Sequence, residues 1–147
     1  MSRGTTNIPA VFILLNRGDK ILFVLRSNTG WMDGHYALPA GHVEAAESFM
    51  QAAQRELLEE VGIKLNLRQL KHAVTIHELK PDRQEVRVGV CFEALDWTGE
   101  PVNAEPEVHG EIKWFNADEL PDKLTPSTRE ALAAIKAGKT YAEFGWD

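Results

Sequence analysis

Residues 41–63 read GHVEAAESFMQAAQRELLEEVGI. From Ser48 onward this stretch is punctuated as a helix. Ser48 supplies a capping hydroxyl, Gln51 three residues later completes a capping box, and Gly62 is placed to end the helix. Met50, Leu57 and Val61 recur at helical spacing and predict its buried stripe. Glu56, Glu59 and Glu60 follow the same periodicity. At about 100° per residue the three carboxylates fall within a sector of roughly 100°, on the side away from Leu57 and Val61. Like charges at this spacing cost about 0.2–0.5 kcal/mol per pair, and the helix C-terminus disfavours anions. Helix stability gives no reason for them. A hard divalent cation does, because magnesium takes oxygen ligands and is held by a few carboxylates, waters and substrate phosphate oxygens. A solvated acidic face, partly balanced by an Arg55–Glu59 pair, is the competing reading.

Working outward, Val11 to Asn16 and Lys20 to Arg26 are apolar, β-rich runs parted by Arg17-Gly18-Asp19, which predicts two strands joined by a tight turn. Ser27 to His35 is a polar loop carrying Trp31, and Tyr36 to Leu38 a short strand stopped by Pro39. Beyond the helix, His72 to Leu79 alternates loosely. Val86, Val88, Val90 and Phe92 alternate strictly with Arg87, Gly89, Cys91 and Glu93, as in a sheet with one buried face. Pro81-Asp82 supplies the turn between these strands. Residues 98–110 form a loop, Glu111 to Phe115 a strand, and Pro126 to Lys136 a second helix with Thr125 as cap and Gly138 as stop. Strands grouped around a helix predict a mixed sheet carrying helices, not a doubly wound dinucleotide fold.

The chain has 147 residues, 44% hydrophobic and 26% charged, which suits one globular domain over residues 1–147. A net charge of −6 with scattered basic residues is a poor footprint for long DNA or RNA. An acidic protein that handles phosphates needs a cation from elsewhere. The single cysteine, Cys91, cannot form an intramolecular disulfide and sits in a strand-like run, as a core residue would. The apolar run Pro9 to Leu15 is too short for a membrane span and lacks a signal-peptide cleavage pattern, so a soluble, cytoplasmic protein is expected.

Gly41, Glu47 and then Arg55-Glu56-Leu57-Leu58-Glu59-Glu60-Val61-Gly62-Ile63 match, without a gap, the signature G-x5-E-x7-R-E-U-x-E-E-x-G-U, in which U is a bulky aliphatic residue. This resembles the box of the Nudix hydrolases, the MutT-like family. The resemblance extends to the two opening strands, to Leu38-Pro39-Ala40-Gly41 and to the stretch from Trp114-Phe115 to Leu120-Pro121, covering about residues 8–137. Ala40 and Ala46 depart from it, standing where many relatives have glycine.

The resemblance implies an α/β/α sandwich with a mixed β-sheet between helices, and hydrolysis of a nucleoside diphosphate linked to a further group, using Mg2+ or Mn2+. Carried onto this chain, Glu56 and Glu60 become the principal metal ligands and Glu59 a ligand or the base. Arg55 orients a carboxylate, Glu47 supports the metal shell and the Gly41 carbonyl completes it. Glycine at 41 also fits a sharp turn close to an ion. Glu107 and Glu111 are candidates for a base outside the box, with an ordinary surface acid the favoured reading of each. Arg26 is a candidate for a substrate phosphate, or for pairing with a surface carboxylate. Trp31, His35 and Tyr36 offer a stacking face for a base, with core packing the alternative for Tyr36 and exposure for His35. His42 takes no metal role from its type, and His72, His77 and His109 lie on separate elements, which disfavours a histidine metal site. For Tyr141, Phe144 and Trp146 packing is favoured over a dimer contact or closure over the site.

The leading expectation is a (d)NTP cut to a monophosphate and pyrophosphate. ADP-ribose, a nucleotide sugar or a dinucleotide is the alternative, and RNA 5′ ends are disfavoured by the acidic balance. A non-catalytic nucleotide sensor is a further reading, against which stands the intact box. The expected partner is a small nucleotide, with no membrane, and a homodimer is common among such relatives.

Overall fold

The computed structural model describes residues 6–82 and 84–147. Met1 to Thr5 and Arg83, which the single-domain reading includes, lie outside the described residues. In chain order the strands and helices are β1 (Thr6–Leu14), β2 (Asn16–Arg17), β3 (Lys20–Arg26), β4 (Tyr36–Ala37), β5 (Ala40–His42), α1 (Phe49–Val61), β6 (Leu70–Leu79), β7 (Glu85–Ala94), β8 (His109–Asn116), α2 (Pro126–Lys136) and β9 (Tyr141–Phe144).

β1 organises the fold because its residues are apolar on both faces. Successive side chains of a strand point to opposite sides. Val11 and Ile13 therefore join Ala52, Ala53, Leu57 and Val61 of α1 in one core. Phe12 and Leu14 join Ala131, Leu132 and Ala134 of α2 in the other. The result is the expected α/β/α sandwich. The main sheet runs β5-β1-β7-β6-β9. β1 lies parallel to β7 and β6 parallel to β9, while the other neighbours are antiparallel, so the sheet is mixed. A second sheet is built on β3, which pairs with β2, β4 and β8.

Three local expectations change. The turn at Gly18-Asp19 exists, but it joins β3 to the two-residue β2; β1 is drawn into the other sheet by its pairing with β7. β7 is covered on both faces: Val90 and Phe92 pack toward α1 and Cys91 toward α2. Alternation marked the strand correctly and Cys91 is in the core as expected, but the face it shares with Gly89 is covered too, where one buried face was expected. Thr125 does stand at the start of α2, but its side chain caps no backbone N–H; its hydroxyl donates to Thr128 Oγ1 at 2.9 Å.

α1 forms as its sequence dictates. Ser48 Oγ accepts from the Gln51 N–H, the Gln51 side chain accepts from the Ser48 N–H, and Gly62 closes the helix in the left-handed region at φ 71°. Leu57 and Val61 are buried and Met50 is half-buried against the same core. Two segments then cover the C-terminal half of α1. β5 is held at the sheet edge by β1. The loop after β7 returns over the helix end, where the Val102 N–H donates to the Val61 carbonyl and the Ala104 N–H to the Glu60 carbonyl.

Candidate active site

Because of that cover, Glu60 is buried, with 3% of its surface exposed. It does not lie on an open face with Glu56 and Glu59. Helical periodicity gives a bearing around the axis; it does not say what packs on that bearing. Glu60 Oε2 accepts the Ala40 N–H at 3.1 Å, and its carboxyl also meets Glu56. Burial, then the Glu56 contact and charge, then the charge of Glu105, hold the Glu60 carboxyl well above the usual carboxylate range. One buried N–H cannot offset a buried anion facing other anions.

Arg55 is the counter-charge. Its side chain is 23% exposed. Nε and Nη2 donate to Glu47 Oε2 and Oε1 at 2.7 and 2.9 Å, a bidentate fork. Nη1 donates to Glu56 Oε1 at 2.8 Å and to Glu59 Oε2 at 3.3 Å, and Nη2 also reaches the His42 carbonyl at 3.0 Å. The carboxylate that Arg55 holds by two bonds is therefore Glu47, whose pKa falls to about 2, first through these hydrogen bonds. The Arg55–Glu59 pair is present, but it is the weakest of these contacts.

Gly41 lies in extended β5 with no left-handed backbone. The expected sharp turn is absent. Glycine leaves room for a neighbour instead: a Cβ at this position would overlap the Glu56 carboxylate, which would then have to shift.

Two residues that sequence reading did not assign to the site complete the cluster. Glu105, from the loop before β8, and His109, at the start of β8, bring their ligand atoms within 4.8 Å of each other and of Glu60. Burial first, then the charges of Glu56 and Glu59, raises the Glu105 carboxyl above its ordinary value. Burial and the Arg26 charge lower the His109 imidazole. His72 and His77 stay on β6, outside this group, and only His109 joins it, because a long loop closes on α1. Glu107 and Glu111 are exposed. Glu111 accepts from the Tyr36 hydroxyl at 2.9 Å.

Glu56, Glu59, Glu60 and Glu105 thus converge with Arg55 as the adjoining guanidinium. Oxygen donors in excess of counter-charge, with the Glu60 and Glu105 carboxyls raised first by burial and then by neighbouring acids, fit a divalent cation.

Next to this acidic end lies a cationic one. Arg26, His42, Lys80 and Arg87 line a 360 Å³ pocket together with Trp31. Arg26, His42 and Arg87 also line an adjoining groove that reaches Ala40 and Gly41. Arg87 Nε is buried with no protein partner among the described residues. A larger pocket of 570 Å³ shares Trp31 and Lys80 and is walled by Met32, Leu79, Pro81 and Phe144. Among the described residues Arg26 pairs with no carboxylate by direct contact; Nε donates to the Trp31 carbonyl at 2.8 Å, and its guanidinium lies 4.9 Å from the centre of the Trp31 ring. Trp31 is 44% exposed and faces both pockets. Tyr36 instead packs edge-on to Phe115 at 5.0 Å. His35 is half-buried, and its Nδ1 has no partner among the described residues, so the exposed alternative does not hold. Phe144 packs on the α2-side core, and Trp146 Nε1 donates to the His77 carbonyl at 3.0 Å. Lys80 and Arg87 carried no signal beyond ordinary surface charge; Arg87 lies on β7 and Lys80 just beyond the end of β6, and the fold brings both to the pocket that Arg26 lines.

Residues 6–135 match the NUDIX domain. A protein of Pseudomonas aeruginosa named NAD-capped RNA hydrolase NudC is 34% identical over 114 residues, which cover 77% of this chain and 37% of that protein. A Haemophilus influenzae protein of the same name is 31% identical, covering 81% of this chain and 43% of its own length. The chain thus spans about two-fifths of the curated relatives it matches. Among solved structures, a MutT NUDIX hydrolase from Burkholderia pseudomallei superposes with a TM-score of 0.79 at 30% identity, covering 87% of this chain and 97% of that one. Among the described residues, no helix is long and apolar enough to cross a membrane.

Proposed function

This chain belongs to the NUDIX family, and from that premise we propose that it is a divalent-metal-dependent hydrolase of the diphosphate linkage in a nucleoside diphosphate bearing a further group. The leading substrate is a (d)NTP, cut to a monophosphate and pyrophosphate. One observation carries the reading: an acidic cluster and a cationic pocket meet at Gly41 and His42. A phosphate chain is the ligand that needs both ends, metal oxygens at one and Arg26, Lys80 and Arg87 at the other.

In this reading Glu56, Glu60 and the Gly41 carbonyl hold the ion, with Glu59 a ligand or the base. When bound, Mg2+ or Mn2+ neutralises charge developing on the phosphoryl oxygens and lowers the pKa of water. Arg55 fixes the Glu56 carboxylate and is itself fixed by Glu47. Glu105, half-buried and raised in pKa, is placed better than Glu107 or Glu111 to take the proton of the attacking water. Water oxygen would bond to phosphorus as its proton passes to Glu105, the bridging P–O bond would break, and the leaving monophosphate or pyrophosphate would take the electron pair. Trp31 stands at the mouth shared by the two pockets and offers its ring to a base.

A second substrate reading is a dinucleotide such as NAD+, supported by the activity for which the curated relatives are named. Incubation with (d)NTPs, ADP-ribose, nucleotide sugars and NAD+ in Mg2+ or Mn2+, with chromatographic identification of products, separates them. Monophosphate and pyrophosphate from a (d)NTP are expected. Silence across the panel from folded protein removes the enzymatic reading and leaves a nucleotide sensor.

A further inference from the structure

We propose that His109 is a nitrogen ligand to the divalent cation, which makes this centre a mixed nitrogen and oxygen site that favours Mn2+ over Mg2+. The inference rests on the metal site of the proposed function and deepens it.

The geometry of three elements carries it. Glu60 comes from α1, Glu105 from the loop before β8, and His109 from the first position of β8. His109 is 7% exposed, and its Nε2 stands 3.6 Å from Glu60 Oε1. That is too long for a hydrogen bond, whose N···O distance is about 2.7–3.2 Å. It suits two donors on one ion: with bonds of about 2.1 Å, donors stand about 3.0 Å apart at right angles and about 4.2 Å apart when opposite. The Glu105 carboxylate falls within the same 4.8 Å group.

The loop is built to hold these side chains together. The Val108 and His109 N–H groups both donate to the Glu105 carbonyl, at 3.1 and 3.0 Å. Asn103 clamps the turn from both sides: its Nδ2 donates to the His109 carbonyl at 2.8 Å and its Oδ1 accepts from the Glu105 N–H at 3.3 Å. His109 Nδ1 is buried with no protein partner among the described residues, and Nε2 is the ring nitrogen that faces the Glu60 carboxylate. Binding through Nε2 places the ring proton on Nδ1.

Imidazole changes which ion is preferred. Mg2+ takes oxygen ligands and parts reluctantly with water, whereas imidazole suits later divalent metals, with Mn2+ accepting both donor types.

The test is pulsed electron paramagnetic resonance on chelator-stripped protein loaded with substoichiometric Mn2+ alone. Nitrogen-14 modulation of the Mn2+ echo is expected. It should convert to the nitrogen-15 pattern in protein made with 15N-histidine, vanish in His109→Gln and persist in His42→Gln. The Mg2+ excess needed to displace Mn2+ should fall about tenfold in His109→Gln. Absence of nitrogen modulation in the unmutated protein overturns the assignment, as does modulation that survives in His109→Gln. The isotope experiment needs no substitution, so it decides even where the variant fails to fold. Nitrogen coupling without hydrolysis of any nucleotide keeps this inference and removes the proposed activity; hydrolysis without nitrogen coupling does the reverse.

Discussion

The Glu56 carboxylate occupies the place where a side chain on residue 41 would stand. β5 and α1 approach so closely at that point that the absence of a Cβ on Gly41 gives Glu56 its position, with Arg55 Nη1 fixing it from the other side at 2.8 Å. Gly41→Ala should therefore push Glu56 off Arg55 while leaving the cores intact. Metal affinity is expected to fall about 10–100-fold, the size seen when a ligand loses its orientation. Calorimetric Mn2+ titration checks this, and unchanged affinity would show that Glu56 does not bind the ion.

The Arg55–Glu47 fork predicts a pH limb in stability. Glu47 has a pKa of about 2 in the folded chain against 4.5 in the ordinary state. A depressed carboxylate contributes stability that is complete above the ordinary value and is lost as pH falls toward the folded one. Urea unfolding midpoints should drop between pH 4.5 and about 2 in the parent protein. In Glu47→Gln the drop should be shallower over the same window.

Ala46 sits in the left-handed region at φ 61°, just before Glu47. Alanine there costs about 1 kcal/mol that glycine does not. Ala46→Gly should raise the melting temperature by about 2–4 °C. A lower melting temperature would mean that unfolded-state entropy outweighs the strain.

Glu105 is the acid outside the helix that the fold brings to the cluster. If it takes the proton from water, Glu105→Gln should lower kcat about 10²–10⁴-fold. Glu107→Gln and Glu111→Gln should stay within a few-fold of the parent. The opposite ranking in steady-state kinetics would move the base to one of those residues.

Local signals in the sequence were enough to place α1. Ser48, Gln51 and Gly62 act on their own neighbours, and all three do in the structure what their types require. The two-sided core was legible in part, since β1 is apolar on both faces. What sequence could not supply was tertiary cover. The burial of Glu60 depends on β5 and on a loop far along the chain, which returns at Ala104. Glu105 sits in irregular chain and His109 at the first position of β8, with no period to mark either, and their convergence on α1 is fixed by Asn103 and the turn it clamps. The contact between Gly41 and Glu56 was not legible, because a steric requirement set by a side chain of another element leaves no mark on backbone propensity.

The measurement that bears most directly on the whole account is the rate of (d)NTP hydrolysis against Mg2+ and Mn2+ concentration in the parent, Glu56→Gln and Glu60→Gln proteins, beside their melting temperatures with and without metal. The side-chain amide introduced by Glu60→Gln keeps an acceptor for the Ala40 N–H, so both variants should fold. At 100 times its Kd, a bound ion stabilises the parent by about 2.7 kcal/mol, or about 5–10 °C. The account predicts that both variants lose nearly all turnover and most of this metal-induced shift. Turnover within a few-fold of the parent in both variants, with the shift intact, would contradict it.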